Sequence, residues 1–233
     1  MSRRLPIYLL LDVSGSMTGE PIEAVKTGLQ MMKTALRNNP QASETAYVSV
    51  ITFGKEVKQV EPLVEVLSFT PPNLEAEGET PLGQALKSTS ECVVKEVRRS
   101  TPNGPKGDYK PMVFLLTDGQ PTDKYDKYGN PTTIYQEGLA AFNAIKWSVK
   151  VGCAAGPRAD DNILNEIILG NNESDSAWSK VERKVVRLAE LNPQSIGDFF
   201  KWVSDSIEKA AGNVATGESN NSLPEPPPQI TYI

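Results

Sequence analysis

The sequence contains no histidine. That absence excludes Ser-His-Asp and Cys-His nucleophile systems, HExxH zinc sites and histidine phosphorelay, and with them much of hydrolase chemistry. Cysteine is nearly as scarce. Cys92 and Cys153 stand far apart with no CxxC, too few for a zinc site or a disulfide framework, and they read as small buried hydrophobes in a reducing compartment. No stretch approaches the roughly 20 apolar residues that a membrane helix needs. The apolar run after Arg3 and Arg4 holds Pro6, ends at Asp12 and lacks a small-residue cleavage site, so it reads as a strand rather than a leader. A cytoplasmic location without membrane association is therefore expected. Neither sign of charge dominates: 24 Lys+Arg against 29 Asp+Glu leave a net charge of −5, which supplies no general field for phosphate backbones. Nucleic acid is not an expected partner.

What is present suits a folded domain. The chain has 233 residues, 39% hydrophobic and 23% charged, and a globule of this length buries roughly three-quarters of its unfolded surface. The run Ile7 to Leu11 is continuously apolar, as in a strand covered on both faces. A polar turn from Val13 to Glu20 follows. Pro21 then opens a helix whose apolar face is Ile22, Val25, Leu29, Met32 and Leu36, stopping near Asn38 and Asn39. Tyr47 to Phe53 reads as a strand, and Val57 to Val66 as a more polar edge strand pairing antiparallel with it. Thr80-Pro81 opens a second helix with Thr80 placed as its N-cap, and Met112 to Leu116 is another doubly covered strand.

Further along, a helix from about 133 to 147 precedes a strand from 148 to 154. A short helix near 162 to 169, a polar insertion from 170 to about 184 containing Trp178, and a strand around 185 to 188 come next. A final helix begins at Pro193. From residue 212 the chain is rich in Gly, Asn and Ser, with prolines at 224, 226, 227 and 228, and reads as a flexible tail. Strands alternating with helices imply an α/β fold: a Rossmann-like, doubly wound, mainly parallel sheet with one antiparallel edge strand and helices on both faces. One domain, residues 1–211, accounts for all of these elements.

Both long apolar strands end in an aspartate, Asp12 and Asp118. Ligands of open α/β sheets collect beyond the carboxyl ends of the strands, where strand order reverses, so two such carboxylates share one site if their strands are neighbours. Their mutual repulsion is resolved by a cation. After Asp12 come Ser14 and Ser16 at two-residue spacing, which strand-like alternation points the same way, and Thr80 adds a hydroxyl at a helix start. The set Asp12, Ser14, Ser16, Thr80 and Asp118 offers oxygen and no nitrogen or thiolate, which selects a hard cation, Mg²⁺ with Mn²⁺ as a close substitute. Each member has a bland alternative when taken alone: a Ser or Asx turn, an N-cap, an Asp-Gly turn. Their joint placement at the sheet edge favours a metal site.

These residues resemble the von Willebrand factor type A (VWA) domain with its metal-ion-dependent adhesion site. The DxSxS motif is matched by Asp12, Ser14 and Ser16, the distant threonine by Thr80, and the later aspartate by Asp118. Residues 9–17 and 116–123 together are most similar to bacterial TerY-type proteins of tellurium-resistance clusters. The resemblance implies a non-enzymatic, metal-dependent protein-binding module in which a partner's Asp or Glu carboxylate completes the metal shell. It further implies a scaffold in a phosphorylation-linked stress response, with kinase-like or phosphatase-like partners. The alternative is a Mg-dependent phosphohydrolase of haloacid-dehalogenase-like type, which requires a second acid two residues after the nucleophile; that position is Ser14. No GxxxxGK[ST] loop is present, which removes P-loop ATPases. The loop from Gln120 to Thr132, with Tyr125 and Tyr128, would flank the metal, either as a solvated turn or as a recognition surface.

Overall fold

The computed structural model describes residues 3–102, 104–170, 181–217 and 222–233. The centre of the polar insertion, 171–180 with Trp178, lies outside the described residues. Strands β1 (Leu5–Asp12), β2 (Ala46–Phe53), β3 (Val57–Glu65), β4 (Met112–Thr117), β5 (Val149–Ala155), β6 (Glu182–Leu188) and β7 (Ile230–Tyr232) form one sheet in the order β3-β2-β1-β4-β5-β6-β7. The five inner strands are parallel, and β3 and β7 run antiparallel at the two edges.

Every residue of β1 is buried, and its side chains alternate between two cores. Leu5, Ile7, Leu9 and Leu11 face a layer made by α1 (Glu20–Asn38), α2 (Pro40–Thr45) and α6 (Pro193–Thr216). Tyr8 and Leu10 face the layer of α3 (Leu82–Glu96), α4 (Thr133–Ala144) and α5 (Asp161–Ile168). A strand flanked by helices on both sides gains nothing from polar alternation, which is why the run reads as unbroken hydrophobicity. Within the second layer, α3 and α4 approach backbone to backbone: a Cβ on Gly138 would sit 2.0 Å from the Gly83 carbonyl oxygen.

The sheet changes direction at β1. From β1 the chain adds β2 and then β3 on one side, and crosses to β4, β5 and β6 on the other. The crevice between the carboxyl ends of β1 and β4 is therefore the switch point where α/β sheets hold ligands.

The expected tail from residue 212 is corrected by the structure at two places. Helix α6 continues to Thr216 and ends on Gly217 in the left-handed conformation. Residues 230–232 then pair with β6, so the sheet has two antiparallel edge strands rather than one. Ile230 is buried against the α1/α6 core, and the Trp202 indole N–H donates to the Pro224 carbonyl at 2.9 Å. Composition points away from this packing because few of the tail's residues are apolar. An open edge on β6 and one buried isoleucine suffice to hold the segment.

Candidate metal centre

Parallel register brings the two aspartates together. Leu11 lies opposite Leu116, so Asp12 at the end of β1 is level with Thr117 and adjacent to Asp118. The Thr117 hydroxyl donates to Asp12 Oδ2 at 2.6 Å, and the Ser14 N–H donates to Asp12 Oδ1 at 2.8 Å. Both oxygens of Asp12 are thus held, and the side chain is fully buried. Burial pushes its carboxyl up to about 6 against the lowering effect of those hydrogen bonds, and the nearby charge of Asp118 raises it further.

The residues after Asp12 do not continue as a strand. Gly15–Met17 form a single 3₁₀ turn, and it is this turn, rather than alternation, that brings Ser16 back beside Ser14 with their hydroxyl oxygens 3.0 Å apart. Ser16 then donates to Asp118 Oδ1 at 2.6 Å. The loop is strapped to the segment carrying Thr80: Gly15 N–H donates to the Gly78 carbonyl at 2.9 Å and Glu77 N–H to the Val13 carbonyl at 2.8 Å. Thr80 is buried, and its hydroxyl oxygen is close enough to Gly119 that a Cβ there would stand 3.3 Å from it. All five expected side chains, Asp12, Ser14, Ser16, Thr80 and Asp118, therefore meet at the switch point.

Thr80 does not cap α3 as expected. The capping position is Pro81, and the N–H groups of Gly83 and Gln84 donate instead to the Asp123 carboxylate at 3.0 and 2.9 Å. Asp123 neutralises the helix start from a distant loop, which leaves the Thr80 hydroxyl directed to the site. Of the flanking tyrosines, Tyr125 and Tyr128 are both exposed, and Asp126 organises their turn by accepting from the Tyr128 and Asn130 N–H groups.

Sequence reasoning missed two members of the site. Thr117 is legible in hindsight as the residue level with Asp12 once β1 and β4 pair. Arg158 lies just past β5, and its guanidinium donates to Asp118 Oδ2 at 3.0 Å. Its loop is pinned by Arg187 of β6, which donates to the Gly156 carbonyl at 2.6 Å and the Ala159 carbonyl at 2.9 Å and pairs with Asp161. No motif marks residues 156–158, which reach the site because β5 ends at the same edge of the sheet as β4.

The donor set fits a hard divalent cation. Two buried carboxylates and three hydroxyls supply oxygen alone, and a positive group, the Arg158 guanidinium, already rests on one of the carboxylates. Among the described residues no group of three or more His, Cys, Asp or Glu is placed to hold a metal ion, so the site differs from carboxylate-rich or thiolate cages.

The sequence model of the von Willebrand factor type A domain matches residues 7–190. A von Willebrand factor A domain-containing protein of Dictyostelium discoideum is 28% identical over 153 residues, covering 60% of this chain and 16% of that protein. The chain spans between 9% and 26% of the length of the curated relatives it matches. Among solved structures, the pilus adhesin SpaC of Lactobacillus rhamnosus GG superposes with a TM-score of 0.60 at 16% identity, covering 90% of this chain and 31% of SpaC. Proximal thread matrix protein 1 of the mussel byssus, with a zinc-occupied MIDAS motif, gives 0.53 at 18% identity, covering 88% of this chain and 48% of its own. These likenesses show the fold.

Proposed function

This chain belongs to the von Willebrand factor type A domain family, and from that premise we propose that it is a divalent-metal-dependent protein-binding module rather than an enzyme. Asp12, Ser14, Ser16, Thr80 and Asp118 hold the ion, Mg²⁺ or Mn²⁺ by their hardness, and a carboxylate of a partner protein completes its shell. The observation that carries this reading is the convergence of oxygen-only side chains at the β1/β4 switch point, linked through Ser14–Ser16 and Ser16–Asp118 contacts of 3.0 and 2.6 Å. The zinc-occupied MIDAS motif of the mussel protein supports a divalent ion on this fold.

When bound, the ion supplies positive charge for an incoming carboxylate oxygen. The chain's residues do the rest. Thr117 and the Ser14 N–H fix the rotamer of Asp12, and the strap from Gly15 to Gly78 holds the serine turn against the Thr80 segment. Ser14 stands where a haloacid-dehalogenase-like phosphohydrolase needs its second acid, and its N–H is already committed to Asp12. No helix among the described residues is long and apolar enough to cross a membrane. A cytoplasmic scaffold of TerY type, with kinase-like or phosphatase-like partners in a tellurium-resistance or phosphorylation-linked response, is the finer form of this proposal. It rests on the motif resemblance at residues 9–17 and 116–123.

The test is calorimetric titration with Mg²⁺ and Mn²⁺, paired with capture of cytosolic partners in the presence of metal or chelator. Asp12→Ala and Asp118→Ala are expected to remove both metal binding and metal-dependent capture while the protein remains folded. Metal affinity unchanged in both variants would overturn the assignment.

A further inference from the structure

At the opposite end of the sheet, a groove of about 590 Å³ opens between the end of α3, the segment leading into β4 and the end of α4. It lies beyond the amino end of β4, while the metal centre lies beyond its carboxyl end. At about 3.3 Å per residue the two are roughly 20 Å apart.

Arg98, Arg99, Lys110 and Lys146 line this groove, all four exposed. None of them forms an ion pair among the described residues. The single acid in the lining, Asp108, is already neutralised: its carboxylate accepts from the Arg4 guanidinium at 2.6 Å and from the Arg98 N–H at 2.7 Å. The chain as a whole carries −5, so four cations outside any ion pair in one concavity are a local reversal of its field.

Helix termini do not account for this charge. Helices α3 and α4 both end at the groove, at Glu96 and Ala144, and each C-terminus presents roughly half a negative charge. Together they offset about one of the four cations. The floor between the cations is apolar, formed by Val94, Val97, Pro111 and Ile145, with Val94 56% exposed. An exposed valine in a lining that also carries four cations suits a ligand with both acidic and apolar groups. A single-stranded nucleic acid gains from stacking its bases on aromatic rings, and the one aromatic ring in the lining, Tyr109, has one face covered by Arg3 at 3.9 Å.

We propose that this groove docks an acidic segment of a partner protein, its carboxylates on Arg98, Arg99, Lys110 and Lys146 and an apolar side chain on Val94 and Ile145. The site is independent of the metal centre and gives the molecule a second recognition end.

Fluorescence anisotropy of the full chain with a labelled Glu-Glu-Leu repeat peptide tests this. The expected result is saturable binding that chelator leaves unchanged and that added salt weakens, since the contacts are exposed charges. The Arg98→Glu/Arg99→Glu double variant is expected to weaken it about tenfold. Lys146→Glu on a separate element and Val94→Ser on the floor are expected to weaken it as well, each with a melting temperature near that of the parent. If the double variant fails to fold, Lys146→Glu and Val94→Ser decide. Absence of saturable binding, or affinity unaffected by the charge reversals, overturns the proposal. So does equal affinity for a peptide with serine in place of leucine, or tighter binding of a single-stranded oligonucleotide, which would make the face a general anion or nucleic-acid surface.

Discussion

At Asp118 the two carboxylate oxygens have different partners: Ser16 on Oδ1 and the guanidinium of Arg158 on Oδ2. A divalent ion approaching Asp118 competes with that guanidinium for the same negative charge. The Arg158 side chain is 64% exposed, so the pair is solvent-screened and contributes at most about 1 kcal/mol. Arg158→Gln is therefore expected to tighten Mg²⁺ or Mn²⁺ binding by up to about fivefold in calorimetry. Looser binding in this variant would show that Arg158 supports the loaded site rather than competing with it. Both carboxylates and all three hydroxyls were legible from the sequence, because each sits beside a recognisable strand end or turn. Thr117 and Arg158 were not, because a threonine before an aspartate and an arginine after Gly-Pro have no local signature; their roles exist only across the β1/β4 and β5 edges.

Among the elements, the long apolar strands and amphipathic helices follow the sequence pattern closely. Helix α1 was expected from Pro21 and spans Glu20–Asn38, and the edge strand expected at 57–66 is β3, Val57–Glu65, antiparallel to β2. Caps and edges were the weak points. The cap of α3 comes from Asp123, some forty positions away, and periodicity within α3 carries no information about it. Strand β7 is three residues long, too short for any alternation to register, and is fixed by the free edge of β6. Its contribution is measurable. Ile230 is 3% exposed, and Ile230→Ala is expected to lower unfolding free energy by about 2 kcal/mol in urea titration. A change near zero would mean that the segment adds no stability and behaves as the expected tail.

Across the whole molecule, the two ends of the sheet differ in charge chemistry: buried carboxylates at one, exposed cations at the other. The groove end is tied together by Asp108. Burial alone would raise its carboxyl, but hydrogen bonds from Arg4 and from the Arg98 N–H hold it below its ordinary value of 3.8. A carboxyl lowered in the folded state contributes stability above the unfolded value, and that stability is lost as pH falls through the folded one. Asp108→Asn is therefore expected to cost stability at about pH 7 and to cost much less at about pH 3, in parallel urea titrations of variant and parent. A pH-independent difference would locate the loss in packing instead. The amino-acid sequence by itself determined the α/β class, the order of strands and helices to β6 and α6 apart from the short α2, and the oxygen-only donor set, because hydrophobic period and strand-end chemistry are local properties of the chain. Tertiary structure alone decided that β1 and β4 are neighbours, that Arg158 rests on Asp118, that Asp123 caps α3, and that four cations from separate segments line one groove. Each of these depends on which edges and ends the crossovers bring into contact, and that is settled by packing both faces of the sheet at once.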